Sequence, residues 1–222
     1  MAKAVVLLSG GMDSATVLAV AKYNNCSCFA LTIDYGQRHQ FEIKAAQSVA
    51  EQIGVSEHKI LQIDLTNFGG SALTDKNLTI PEAETPGIPI TYVPARNTIF
   101  FSLALAWSEA IDADYIYSGV NAVDYSGYPD CRPEYIIALQ ELVNLATKKT
   151  IEGNAILIKT PLIHLTKSEI ILLGNEKGVD FSKTVSCYQI TEDGRSCGVC
   201  DACRLRIQAF EEVQIEDKIT YI

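Results

Sequence analysis

The sequence predicts an α/β fold: a five-stranded parallel sheet with helices on both faces, followed by a small cysteine-rich helical segment at the C-terminus. Three observations carry this. Apolar runs of strand length alternate with longer helix-period stretches over the first 180 residues, a rhythm that implies right-handed crossovers and a covered parallel sheet. After Asp180 the rhythm stops, and four cysteines crowd into positions 187 to 203. The 222 residues are 48% hydrophobic and 20% charged, an ordinary globular composition that allows one good-sized domain and a small appendage.

Taken in order, Lys3–Leu8 reads as a strand and Met12–Tyr23 as the helix after it. Cys28–Asp34 and Phe41–Gly54 form the second pair. His58–Leu65 is the third strand, and an irregular stretch, 66–90, separates it from a helix over Ala95–Ile111. Tyr115–Val120 and Pro133–Thr147 follow, then Ala155–Lys159 and Thr166–Gly178, and a last helix spans Arg204–Val213. The domain is therefore expected over 1–180 and the cysteine-rich segment over 181–222. Residues 66–90 hold Gly69-Gly70 and three prolines, a length that predicts a mobile flap beside the site, with a plain surface insertion as the competing reading.

The formal net charge of −9 argues against a surface built for non-specific nucleic-acid binding, which needs clustered Lys and Arg. The apolar run Ala4–Leu8 is broken by Ser9-Gly10-Gly11, far short of the roughly 20 residues that span a bilayer. A cytoplasmic protein without membrane partners is expected.

Two groups of residues carry chemistry. Leu8, Ser9, Gly10, Gly11, Met12, Asp13 and Ser14 join the first strand to the first helix. Glycines there let backbone N–H groups approach phosphate oxygens, and the helix terminus adds partial positive charge. Ser9 and Ser14 offer hydroxyls, and Asp13 can orient the loop or help hold Mg²⁺; the bland alternative is a capped turn. No Gly-x-x-x-x-Gly-Lys-Ser/Thr occurs, so the lysine of β/γ-phosphoryl transfer is missing from the loop. The second group is Cys187, Cys197, Cys200 and Cys203, spaced C-x9-C-x2-C-x2-C. Four thiolates with no open position describe a structural zinc site, one ion per chain, with an iron–sulfur cluster as the rival. Cys26 and Cys28 read as small core residues.

Four further loops follow strand ends, where α/β sites form. Asp34–His39 follows the second strand, with His39 expected at the surface. Val93–Asn97 carries Arg96, Gly119–Arg132 follows the fourth strand, and Leu165–Glu169 carries Lys167 behind the capping residue Thr166. Arg96 and Lys167, both at helix starts, are expected to bring positive charge to the site, against the reading of Lys167 as an exposed helix lysine.

The six-residue loop resembles the SGGxDS loop of the N-type ATP pyrophosphatases. Together SGGMDS, DYGQRHQFE, VPARN, GVNAVDYSGYPDCRPEY, TKSEI and the four cysteines resemble, in order and over nearly the whole chain, the QueC family of queuosine precursor biosynthesis. The resemblance implies an adenine nucleotide alpha-hydrolase-like fold and attack at the α-phosphate of ATP, giving AMP and pyrophosphate. It also implies a zinc-containing, ATP- and Mg²⁺-dependent ligase, a homodimer, that converts 7-carboxy-7-deazaguanine and ammonia to the nitrile. On that reading Asp13, Ser14, Lys167 and Arg96 are catalytic, and the 8–14 loop with Asp34 holds the nucleotide. A guanine-like edge needs an acceptor, for which Asp124 or Asp130 is expected, with Arg132 on the 7-carboxylate and Tyr128 stacking on the ring. A tRNA-thiolating pyrophosphatase and a non-catalytic adenine-nucleotide-binding module are the competing functions.

Overall fold

The computed structural model describes residues 1–82, 87–123 and 128–222. β1 (Lys3–Leu7) leads into α1 (Met12–Tyr23), β2 (Ser27–Asp34) into α2 (Phe41–Ile53), and β3 (Glu57–Gln62) is followed after a long connection by α3 (Arg96–Ala110). β4 (Tyr115–Tyr117) precedes α4 (Pro133–Ala146) and the one-turn α5 (Lys148–Ile151); β5 (Leu157–Lys159), α6 (Lys167–Glu176) and α7 (Asp201–Glu212) complete the chain. The strands pair in parallel in the order β3-β2-β1-β4-β5. Because β1 lies between β2 and β4, the sheet grows in opposite directions on its two sides, and a crevice opens at the carboxyl ends of β1 and β4.

Alternation along β1 builds a core on each face. Ala4 and Val6 join Val17 and Leu18 of α1, Ile170 of α6 and Phe210 of α7. Val5 points the other way, to Phe101 and Trp107 of α3 and Val143 of α4. Gly174 lets α6 approach α1 and the loop beyond, since a Cβ there would lie 2.6 Å from Thr16 Oγ1 and 2.5 Å from Phe181 Cζ. No helix among the described residues is long and apolar enough to cross a membrane.

Boundaries differ from expectation where side chains compete with the ladder. β3 ends at Gln62 rather than Leu65, because the Asp64 carboxylate accepts from Thr66 N (2.9 Å) and Asn67 Nδ2 (2.8 Å) and turns the chain. α7 starts at Asp201, ahead of the expected Arg204, with Cys200 as its N-cap. Within the stretch expected as a flap, Ser71, Ala72, Leu73, Thr74 and Ile80 are buried, and residues 83–86 lie outside the described residues. Arg38 fastens the segment to the body by donating to the carbonyls of Ala72 (2.6 Å), Asp75 (3.0 Å) and Leu78.

Candidate active site

The crevice holds a cavity of about 240 Å³ whose floor is the 8–14 loop. Gly10, at φ +87°, is a conformational requirement: a Cβ there would lie 2.3 Å from Glu42 O and 2.7 Å from Ala46 N. Gly10 therefore backs onto α2, while Leu8, Ser9, Gly11, Met12, Asp13 and Ser14 line the cavity. Ser14 Oγ donates to Gly11 O (3.0 Å) and accepts from Ser9 N (3.2 Å), which fixes the loop's curvature. Gly11 caps α1 with no side-chain hydrogen bond, so the first-turn N–H groups remain available to an anion. Gly119 lets the chain leaving β4 pass the loop, a Cβ there falling 3.1 Å from Asp13 C.

Lys167 is buried, 6% exposed, and its ammonium bridges both Asp13 oxygens at 2.9 and 2.8 Å. The exposed-lysine reading is thereby excluded. A complete capping box, Thr166 with Glu169, starts α6 one residue earlier and aims Lys167 inward. Arg96 also lines the cavity, its guanidinium over Tyr35 (5.6 Å) and Phe100 (5.9 Å). It follows Ala95, a non-glycine residue at φ +54°. Burial pushes the Tyr35 phenol up to about 12 and the Glu42 carboxyl up to about 7.

The second expected group is only partly assembled. Tyr128 is buried on the cavity wall, its hydroxyl 2.9 Å from Thr91 Oγ1. Asp130 is not among the lining residues: it turns beneath the wall and accepts from Asn97 N (3.1 Å), capping α3. Burial raises its carboxyl from the usual range. Arg132 is exposed, outside the lining, and donates to Pro129 O (3.2 Å). The short 3₁₀ turn over Pro129–Cys131 rotates both side chains away from the cleft. Asp124 lies outside the described residues. Asp34 also stays off the wall, accepting from Gly36 N (3.4 Å), whereas its neighbours Ile33 and Tyr35 line it. Cys131 does line the cavity, but burial raises its thiol to about 11 and keeps it protonated.

Gln37, Glu42, Phe100, Ser186 and Tyr188 are lining residues not singled out from the sequence. Each sits in or beside a motif string, but nothing in a linear string says which member turns inward.

The four cysteines converge. Their sulfurs all lie within 4.8 Å of one another, and Cys197 Sγ is 3.9 Å from Cys203 Sγ, close to the ~3.8 Å edge of a tetrahedron with 2.3 Å metal–sulfur bonds. Gln189 N and Cys197 N each donate to Cys187 Sγ at 3.2 Å, as thiolates require. The set fits a four-thiolate metal. His39 is half-buried rather than a surface residue, with Nε2 3.0 Å from Cys187 O. The knot also builds the cleft, since Val185, Ser186, Tyr188 and Ala202 line it and Val185 N donates to Gly10 O (2.9 Å).

The profile of the family described as queuosine biosynthesis protein QueC matches residues 3–214. A 7-cyano-7-deazaguanine synthase of Saccharophagus degradans is 57% identical over 219 residues, 99% of this chain and 97% of its own. A Pseudomonas aeruginosa protein of the same description is 56% identical, covering 99% and 98%. Among solved structures, the U34-tRNA thiolase NcsA of Methanococcus maripaludis with its [4Fe-4S] cluster superposes with TM-score 0.52 at 18% identity, over 95% of this chain and 66% of that one. A 4-thiouridine synthetase in complex with RNA and ATP gives TM-score 0.52 at 18% identity, over 95% and 53%. At such identity these two likenesses concern the fold alone.

Proposed function

This chain belongs to the QueC family, and from that membership and the cleft we propose that it is the ATP-dependent ligase that makes 7-cyano-7-deazaguanine in queuosine precursor biosynthesis. The observation that carries the reading is the open α1 terminus with the Asp13–Lys167 pair beside it, at the crevice between β1 and β4. That arrangement suits a departing pyrophosphate: first-turn N–H groups and the Lys167 ammonium stabilise charge that develops as the α–β bond breaks.

A carboxylate is a poor acyl donor until its oxygen becomes a leaving group. Its attack on the α-phosphate gives the acyl adenylate and pyrophosphate; ammonia then displaces AMP to form the amide and releases a proton. The amide oxygen attacks the α-phosphate of a second ATP and expels pyrophosphate, and loss of AMP with the two remaining N–H protons leaves C≡N. One cleft serves both rounds, because each is attack on an α-phosphate. Arg96 supplies positive charge in the cavity for the adenylate or the 7-carboxylate, and Tyr128 offers its ring for stacking.

Mg²⁺, bound with ATP, would neutralise the pyrophosphate, and Asp13 is the carboxylate beside the loop that would help hold it. The four cysteines would hold one structural Zn²⁺, which would fix Ser186 and Tyr188 in the wall. The substrates are small molecules in the cytoplasm, without nucleic acid. The homodimer implied by family resemblance has exposed Ile137, Leu142 and Leu145 of α4 available for an interface.

Incubation with ATP, ammonium and 7-carboxy-7-deazaguanine should yield the nitrile and AMP by mass spectrometry. ADP and phosphate as the only nucleotide products would overturn the reading. Absence of acid-dependent ATP/pyrophosphate exchange would leave a nucleotide-binding module.

A further inference from the structure

The cleft wall contains one carboxylate that the chemistry above does not use. Asp13 is engaged by Lys167, and Asp130 and Asp34 are turned to backbone N–H groups outside the lining. Glu42, half-buried, lines the cavity from the first turn of α2, and among the described residues no hydrogen bond or ion pair reaches its carboxylate. A half-buried carboxylate that faces a cavity without protein donors is open to donors brought by a ligand. Around it stand aromatic rings. Tyr35 and Phe100 pack at 5.6 Å with a 56° tilt, Tyr128 and Tyr188 line the same cavity, and Arg96 lies over Tyr35. Tyr35 and Arg96 are the titratable or charged groups that bear on Glu42. An aromatic-lined cavity with an acceptor-only carboxylate suits a planar heterocycle that presents adjacent N–H donors.

We propose that Glu42 is the specificity-determining carboxylate of the cleft, accepting the paired ring N–H and exocyclic amino donors of a guanine-type edge. The assignment rests on the substrate reading above and moves ring recognition from the Gly119–Arg132 loop to the start of α2. An adenine-type edge, with an acceptor at the ring nitrogen, would set lone pair against lone pair. A ring without the exocyclic amino group would leave one carboxylate oxygen unpaired. The close approach of Gly10 to the backbone of Glu42 and Ala46 seats the start of α2, and Glu42 with it, against the phosphate loop.

The test is calorimetric binding of 7-carboxy-7-deazaguanine and of its 2-deamino analogue to the full chain, wild type and Glu42→Gln, with Glu42→Ala as a second variant. Wild type should prefer the amino-bearing acid. Glu42→Gln should weaken that acid by about 10- to 100-fold, the discrimination of a bidentate pair, while changing the deamino analogue by a few-fold at most and leaving ATP binding intact. Equal losses for both acids in both variants would mean a structural role and overturn the assignment. So would a loss confined to ATP, which would place Glu42 in the nucleotide subsite. Failure of the wider functional reading looks different: wild type itself would show no acid-dependent ATP/pyrophosphate exchange, and both would fall together.

Discussion

Arg206 and Asp217 form a buried two-point ion pair, Nε to Oδ2 at 2.7 Å and Nη2 to Oδ1 at 2.8 Å, with no part of the arginine exposed. The guanidinium spends its remaining donors on Thr184 Oγ1 (2.8 Å) and Phe181 O (3.0 Å), and Tyr221 donates to the same aspartate at 2.7 Å. One side chain thus ties α7, the tail after it and the loop entering the cleft at Val185.

Removing one partner leaves the other charge buried and alone. Arg206→Met or Asp217→Ala should cost about 3–5 kcal/mol. For a chain of this size Tm should then fall by roughly 6–20 °C in thermal unfolding followed by circular dichroism. A shift within two degrees would show that water reaches the pair.

On the proposed function, the Asp13–Lys167 bridge serves catalysis. Asp13→Ala, Ser14→Ala and Lys167→Met should each lower acid-dependent ATP/pyrophosphate exchange by at least ~10²-fold with the fold retained, the scale of losing one preorganised group. Lys167→Met with unchanged ATP affinity and rate would remove the lysine from the site.

Glu42 gives a pH signature. Burial raises its folded value to about 7 from an ordinary 4.5, so between those limits the folded protein holds a proton that the unfolded chain has lost. Stability from this group is therefore present below about pH 4.5 and is lost as pH rises through 7. Glu42→Gln cannot ionise. Its Tm, relative to wild type, should move upward between pH 5 and pH 8 in the absence of ligand; a constant difference across that range would show that the carboxyl titrates normally.

Metal content separates zinc from its rival. Elemental analysis should give one zinc per chain in a colourless preparation, and a strong chelator should lower both Tm and the affinity for ATP, because the knot carries part of the cleft wall. Iron with a visible charge-transfer band would favour the thiolase-like reading.

The parts of the site legible in the sequence were those compressed into short strings. The phosphate loop and the cysteine knot each place their ligands within a few turns of chain, so spacing alone constrains geometry. Lys167 was legible as a position, not as a partner of Asp13, because only the return of α6 alongside α1 brings the two together. Asp130 and Arg132 lie outside the cavity lining for a physical reason that composition does not encode: they sit in and beside one 3₁₀ turn, whose course decides which side of the backbone faces the cleft. Glu42 was hidden because an acidic residue in a first helical turn is already explained by the helix dipole. His39 read as a surface residue because the carbonyl it meets comes from far along the chain.

The hydrogen bond from Val185 to Gly10 has a bearing on synthesis. During synthesis the phosphate loop is made well before residues 185–202, and the strands around it can begin to associate while later ones are still being made. The loop's carbonyl and one side of its cleft must wait for the segment at 185–202. An interrupted chain would therefore carry the most recognisable stretch of its sequence in an unfinished form, without the wall that completes the cleft. Completion of the cleft is in this sense a property of the late-made residues, although the early-made ones supply most of its lining.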